Sequence, residues 1–382
     1  MAGMDLTWIE LSKGALEHNL RLFRESMAEG VRLLVPIKAN AYGHGLAEMA
    51  RMMPSCGADW LGVHSLQEAM VAQDAGATCP ILVLGYVPFE GMEEVVRRGL
   101  RVMVTNWESA EALARVAEAL DKQVAVHLKI ETGTNRQGVQ GRDLLILARS
   151  IQTSKHLVLE GCYTHFANIE DTTDHSYAKM QLERFERGLE TLEKHGIRPQ
   201  IRHAAASAAS MLFRETHFEM IRPGISAYGL WPSRETYVSL LQEGRSSFPL
   251  RPVLSWKTVV TQVKEVAAGE YIGYGCTYRT TRGIRLAILP IGYYDGYDRG
   301  LSNVGYVLIR GQRAPVRGRI CMNLTMVDVT DIGGVDLEDE VVLIGKQGEE
   351  EIKAESFASW FGTIHYEAVS RLPHHIRRRW AV

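Results

Sequence analysis

Eight short apolar runs, each separated from the next by one amphipathic segment, occupy the first two-thirds of this 382-residue chain. The runs are LLVPI (33–37), WLGV (60–63), PILVL (80–84), VMVT (102–105), VAVHLKI (124–130), LEGCYTHF (159–166), PQIRH (199–203) and EMIR (219–222). The segments between them, from LAEMARMM and LQEAMVAQDAG to YAKMQLERFERGLETLEKHG and SAASMLF, carry helical patterns, and a further helix over about 12–28 precedes the first run. Strands joined by single helices pair in parallel through right-handed crossovers. Eight of them is the number that closes a (β/α)8 TIM barrel. An open doubly wound sheet is the alternative, but no G-x-G-x-x-G follows the first strand.

The texture changes after about residue 236. ETYVSLLQEGRSSFPL reads as a linker, and beyond it come short strands with Gly-rich turns: LSWKTVVTQVKEV, IRLAILPIG, YVLIRGQRAPVRGRI, TMVDVTDI and EVVLIG. Helical signal is scarce until AESFASWFG. The expected organisation is therefore an α/β chain with an N-terminal TIM barrel over 1–236 and a mainly β domain over 237–382.

A net charge of -2 gives no bulk attraction to nucleic acid or anionic membrane, and no stretch approaches the roughly 20 apolar residues of a membrane span. The opening MAGMDLTWIELSKG lacks a secretory pattern, so the expectation is a cytoplasmic enzyme. Five cysteines without C-x-x-C spacing suggest buried thiols, and thirteen histidines without H-x-x-x-H on a helical pattern suggest no metal site. The basic tail RLPHHIRRRW is expected to pair with acids or face solvent.

Lys38 follows LLVPI and precedes ANAYGHG, a turn-rich loop. Barrel active sites form where strands end and loops begin. In that low-dielectric mouth a lysine's pKa falls and its amine can form a Schiff base. On position alone, a surface lysine at a strand end is the commoner case. The surrounding string narrows the choice: VPIKANAYGHG closely resembles the cofactor-lysine motif of the alanine racemases. THFAN (164–168), HAAASAAS (203–210), RPGISAYGL (222–230), GYGCTY (273–278), LPIGYYDG (289–296), GRICMN (318–323) and TIHYE (363–367) match the same family in the same order.

The resemblance implies a barrel, a C-terminal β domain and a head-to-tail homodimer with shared active sites, acting on a small amino acid with pyridoxal 5′-phosphate held on Lys38. Tyr42, Ser207, the backbone at Gly224 and Ile225, and Tyr366 are then the phosphate ligands. Arg222 faces the pyridine nitrogen; as a permanent cation it keeps that nitrogen from gaining a full proton and weakens the ring as an electron sink. Racemisation needs a base on each face of the α-carbon. The family assigns one to Lys38 and the other to Tyr274 of the second subunit, with His165 and Arg222 as its connected helpers. Arg136 and the Met322 N–H bind the substrate carboxylate, Tyr293 narrows the access channel, and Lys129 matches a lysine often carbamylated. Three positions, at two places in the chain, depart from the family. Thr134-Asn135 stand where Met-Gly is common, and Asn323 stands where Asp is usual. The resemblance therefore implies alanine as substrate with serine as a secondary one. The alternative is a same-fold decarboxylase, which would place an acid rather than Arg222 at the ring nitrogen. A non-catalytic cofactor carrier and a Schiff-base sugar-phosphate lyase leave the second domain unexplained.

Overall fold

The computed structural model describes residues 5–242, 244 and 248–381. These fall into two compact units. One holds 14–39 and 46–251; the other holds the N-terminal residues to 13, residues 40–45, and everything from 252 onward.

The larger unit is the barrel. Its strands, in chain order, are Arg32–Pro36, Trp60–Val63, Ile81–Val83, Arg101–Val104, Val124–Lys129, Leu157–Tyr163, Ile201–His203 and Met220–Ile221. Each pairs in parallel with the next from the first to the seventh, and the eighth returns to pair with the first at Arg32↔Met220. Backbone bonds from Glu219 N to Arg202 O (3.1 Å) and from Arg222 N to Ala205 O (2.9 Å) bring the seventh and eighth strands together. All eight expected runs are strands, within a few residues of their expected bounds. Trp60–Val63 is buried at every position, as parallel strands covered on both faces must be. Leu34, Trp60, Leu82, Ile201 and Met220 pack as one cluster.

The second unit is mainly β. Its larger sheet runs in the order Gln312–Pro315, Tyr306–Ile309, Glu340–Gln347, Leu254–Val259, Thr7–Leu11, Arg377–Trp380, with Glu350–Ile352 paired to Glu340–Gln347. A smaller sheet joins Gln262–Val266, Ile284–Leu289 and Thr325–Asp328. LSWKTVVTQVKEV is thus two strands, not one. The chain changes sheets at Val260 and Thr261, whose N–H groups bond Asp339 O and Ile288 O respectively. Leu254–Val259 alternates strictly between buried and half-buried positions. Trp256, Tyr297 and Phe357 form an aromatic core, with Trp256 6.0 Å from each of the other two rings.

The basic tail is the strand Arg377–Trp380, parallel to Thr7–Leu11. Arg377 pairs with Asp5 and Arg379 with Glu10. Arg378 is buried and donates to the carbonyls of Gly43, Leu372, Pro373 and Ile376. The expected linker begins instead as the helix Arg234–Gln242; residues 243 and 245–247 of it lie outside the described residues. Among the described residues no helix is long and apolar enough to cross a membrane, and no group of side chains could hold a metal ion.

Candidate active site

Lys38 lies two residues beyond the end of the first barrel strand and opens a turn of unusual hand. Ala39, Asn40, Ala41 and Tyr42 all have φ between 52° and 54°. Four successive left-handed residues, only one of them Asn, cost about 1–2 kcal/mol each, and strain of this kind persists only where the surroundings impose it. Two contacts do so. Glu68 accepts from Ala39 N (2.7 Å) while also capping its own helix at His64 and Ser65. At the far end Gly43 has φ +83°, and a Cβ there would lie 1.8 Å from Val369 O. Gly43→Ala is expected to destabilise the protein by about 3 kcal/mol. The exposed Ala39→Gly is expected to stabilise it by about 0.5–1 kcal/mol. Chemical denaturation measures both.

The mouth of the barrel gathers cations. Lys38, Lys129, Arg136 and Arg222 act on one another electrostatically. Burial, followed by Arg136 and Arg222, lowers the Lys38 pKa, with Glu68 opposing. Burial and the same arginines bring Lys129 down to about 8. Its amine donates to Gln137 Oε1 (3.4 Å) and stands 5.5 Å from the Tyr163 ring. Burial lowers Arg222 to about 10, so it remains a cation near neutrality. Burial and the surrounding cations hold His165 far below its usual value, so its imidazole is neutral.

Short donors lie on the segments after the seventh and eighth strands. Ser207 opens the six-residue helix Ser207–Leu212, whose cap is Ala206, so Ser207 is not the capping residue. Its Oγ accepts from Gly224 N (2.9 Å) and Ser226 N (3.4 Å). Beyond the fifth strand, Glu131 accepts from Gly133 N and Arg136 N and fixes the loop that carries Arg136.

Models of the alanine racemase N-terminal domain and the alanine racemase C-terminal domain match residues 11–232 and 253–380. The chain belongs to the alanine racemase family. It is 42% identical over 378 residues to the alanine racemase of Symbiobacterium thermophilum, covering 98% of this chain and 97% of that one. It is 39% identical over 374 residues to that of Leptospira interrogans, covering 97% and 95%. Alanine racemase structures from Clostridium difficile (32% identity, covering 99% and 96%) and from Bacillus anthracis with bound L-Ala-P (33%, covering 100% and 96%) both superpose with a TM-score of 0.92. The chain is an amino-acid racemase, and its barrel and β domain are those of the alanine racemases.

Within the barrel unit Lys38, Lys129, Arg136, His165, Ser207, Arg222, Gly224 and Ile225 all lie at or just beyond the carboxyl ends of strands; Lys38, Lys129, Arg136, His165 and Arg222 interact electrostatically, and Ser207 bonds Gly224. The other expected residues lie in the β unit. Tyr42 and Tyr366 have ring centroids 6.5 Å apart. Tyr274, Met322 and Tyr293 are 73%, 56% and 44% exposed in the single chain. Tyr274 sits between Gly273 and Gly275, both with φ near +70°, and the Tyr293 N–H bonds Cys321 O, which ties that turn to the Met322 loop. One family departure has a structural reason: Asn135 has φ +53°, a conformation Asn tolerates where the family places Gly. Thr134, a second departure, donates to His165 O (2.6 Å) and helps anchor that residue. The expected link between Arg222 and the His165 ring is not what the structure records. The guanidinium instead meets His203 Nδ1 (2.7 Å), Thr164 O and Ala204 O. Sequence reading also missed Glu68, Tyr163 and Gln181, which donates to His165 O and accepts from Ala167 N. Only the placement of His203 at a strand end, inside a family string, signalled any of them.

Proposed function

We propose that the chain interconverts L- and D-alanine as a cytoplasmic homodimer, with pyridoxal 5′-phosphate carried on Lys38. The observation that carries this reading is an amine just beyond the first barrel strand, set among three further cations. The residues fit an anionic aldehyde cofactor. The cations exceed the carboxylates Glu68 and Glu131 beside them, and the buried Tyr163, Ser210 and Ser226 hydroxyls have no hydrogen-bond partner. Ser207, Gly224 and Ile225, with Tyr42 and Tyr366, are the proposed phosphate ligands, and Arg222 the donor to the ring nitrogen. When bound, the cofactor draws electrons from the substrate α-carbon and makes its proton removable.

The chain's own groups then do the proton work. Lys38, freed by substrate, exchanges a proton on one face. The phenol of Tyr274 from the second subunit exchanges one on the other, aided by the neutral His165. Arg136 and the Met322 N–H orient the carboxylate, and Tyr293 narrows the access channel. The exposure of Tyr274, Met322 and Tyr293 supports delivery to a second copy. A Lys129 pKa of about 8 leaves more neutral amine to add carbon dioxide, with loss of one proton, than an ordinary lysine has. A carbamate resonance in 13C-bicarbonate checks this. Asn323 removes a possible charge near the substrate end, which is compatible with serine as a secondary substrate; a serine rate equal to the alanine rate would overturn the preference for alanine.

The test is a racemisation screen across small amino acids, with and without added cofactor. Alanine turnover is expected, and carbon dioxide release in its place would favour the decarboxylase. Arg222→Glu is expected to add pyruvate formation, because an acid at that position strengthens the ring as an electron sink.

A further inference from the structure

Arg222 is 5% exposed, yet none of its hydrogen-bond partners is an anion. A carboxylate stands further down the same chain of bonds. His203 Nε2 lies 2.8 Å from His127 Nδ1, and His127 Nε2 lies 3.1 Å from Glu160 Oε2, which also takes Arg101 Nε at 3.3 Å. Both imidazoles are wholly buried. Tyr163 stacks on His203 at 4.7 Å, and the Trp60 ring packs against His127. The neighbouring strand makes room at Gly161, where a Cβ would lie 2.5 Å from His127 Nδ1.

The two ends of this chain dictate its protons. A guanidinium can only donate and an ionised carboxylate can only accept. His203 Nδ1 must therefore be a lone pair and His203 Nε2 an N–H; His127 Nδ1 accepts it, and His127 Nε2–H donates to Glu160. No other arrangement of two neutral imidazoles satisfies all four ring nitrogens. An added proton on either ring would force an N–H against the guanidinium. Burial and the neighbouring cations lower both histidines, and His127 and Arg101 hold Glu160 ionised against the opposing effect of burial. A histidine that donates to a carboxylate is a better acceptor at its other nitrogen.

We infer that Glu160, His127 and His203 form a proton-ordered relay that positions Arg222, the ionised carboxylate polarising two neutral imidazoles so that His203 Nδ1 is a stronger acceptor for the guanidinium. The relay holds Arg222 without an adjacent acid that would compete for its donors. It rests on the reading that Arg222 donates to the cofactor ring nitrogen.

The test uses the full-length protein labelled with 15N-histidine, without cofactor and then with pyridoxal 5′-phosphate. Both rings are expected as neutral Nε2–H tautomers in each state; an Nδ1–H tautomer or a doubly protonated ring overturns the relay. Glu160→Gln retains an acceptor and loses the charge. It is expected to weaken cofactor affinity and lower kcat by roughly tenfold each, leave KM for alanine unchanged, and be rescued by Glu160→Asp. Unchanged cofactor affinity and kcat in a folded Glu160→Gln protein also overturn it. Wild-type protein that binds no cofactor sinks the proposed function instead, and the cofactor-free spectra still decide the relay.

Discussion

Lys38→Ala is expected to lose more than about 1,000-fold in alanine racemisation, together with all borohydride-stable attachment of pyridoxal 5′-phosphate. One side chain is asked to anchor the cofactor and then to exchange a proton, so its loss removes both steps. The competitor is Lys129, which is also buried and whose pKa is brought down to about 8. Its amine is engaged by Gln137 and faces the Tyr163 ring, whereas Lys38 opens a turn fixed by Glu68. Lys38→Arg is expected to fail equally, because a guanidinium keeps the charge but supplies no neutral amine. Added methylamine is expected to restore part of the Lys38→Ala activity, since a free amine can then serve where the tethered one is missing. Mass spectrometry after borohydride locates the trapped cofactor. Trapping on Lys129 with near-normal turnover would remove Lys38 from the mechanism.

The barrel was legible because buried parallel strands are apolar without interruption, and runs such as WLGV end within a residue of their structural limits. Lys38 was legible as a candidate through the string around it, VPIKANAYGHG, more than through its place after such a run. The hand of the turn that presents it was not: Ala39, Ala41 and Tyr42 carry no local preference for positive φ, and the contacts that impose it come from Glu68 and Val369, far along the chain. Distance hid the edge of the larger sheet as well, where Trp8 pairs with Arg377. A basic tail then reads as a solvated run although Arg378 is buried beneath it. His127 and Glu160 illustrate a third reason. Each reads as an ordinary polar residue of a strand, and only the register of the two paired strands, with His127 opposite Gly161, brings them together.

Mixing Lys38→Ala and Tyr274→Phe chains is expected to yield activity that neither parent has. Tyr274 is 73% exposed in the single chain, and Met322 and Tyr293 are 56% and 44% exposed. In a two-fold dimer each surface meets its counterpart reciprocally, so a hybrid collects both lesions in one site and leaves the other intact. Random assortment makes half the dimers hybrids with one sound site in two, or about a quarter of wild-type activity. A tyrosine acting on its own chain's lysine predicts the opposite: each hybrid site carries one lesion, and mixing gains nothing. The unmixed Tyr274→Phe protein adds a directional check. It is expected to lose proton removal from L-alanine far more than from D-alanine, because Lys38 still serves the other face. Equal, small losses in both directions would leave Lys38 as the sole base, and would make the exposed phenol a feature of the subunit contact alone.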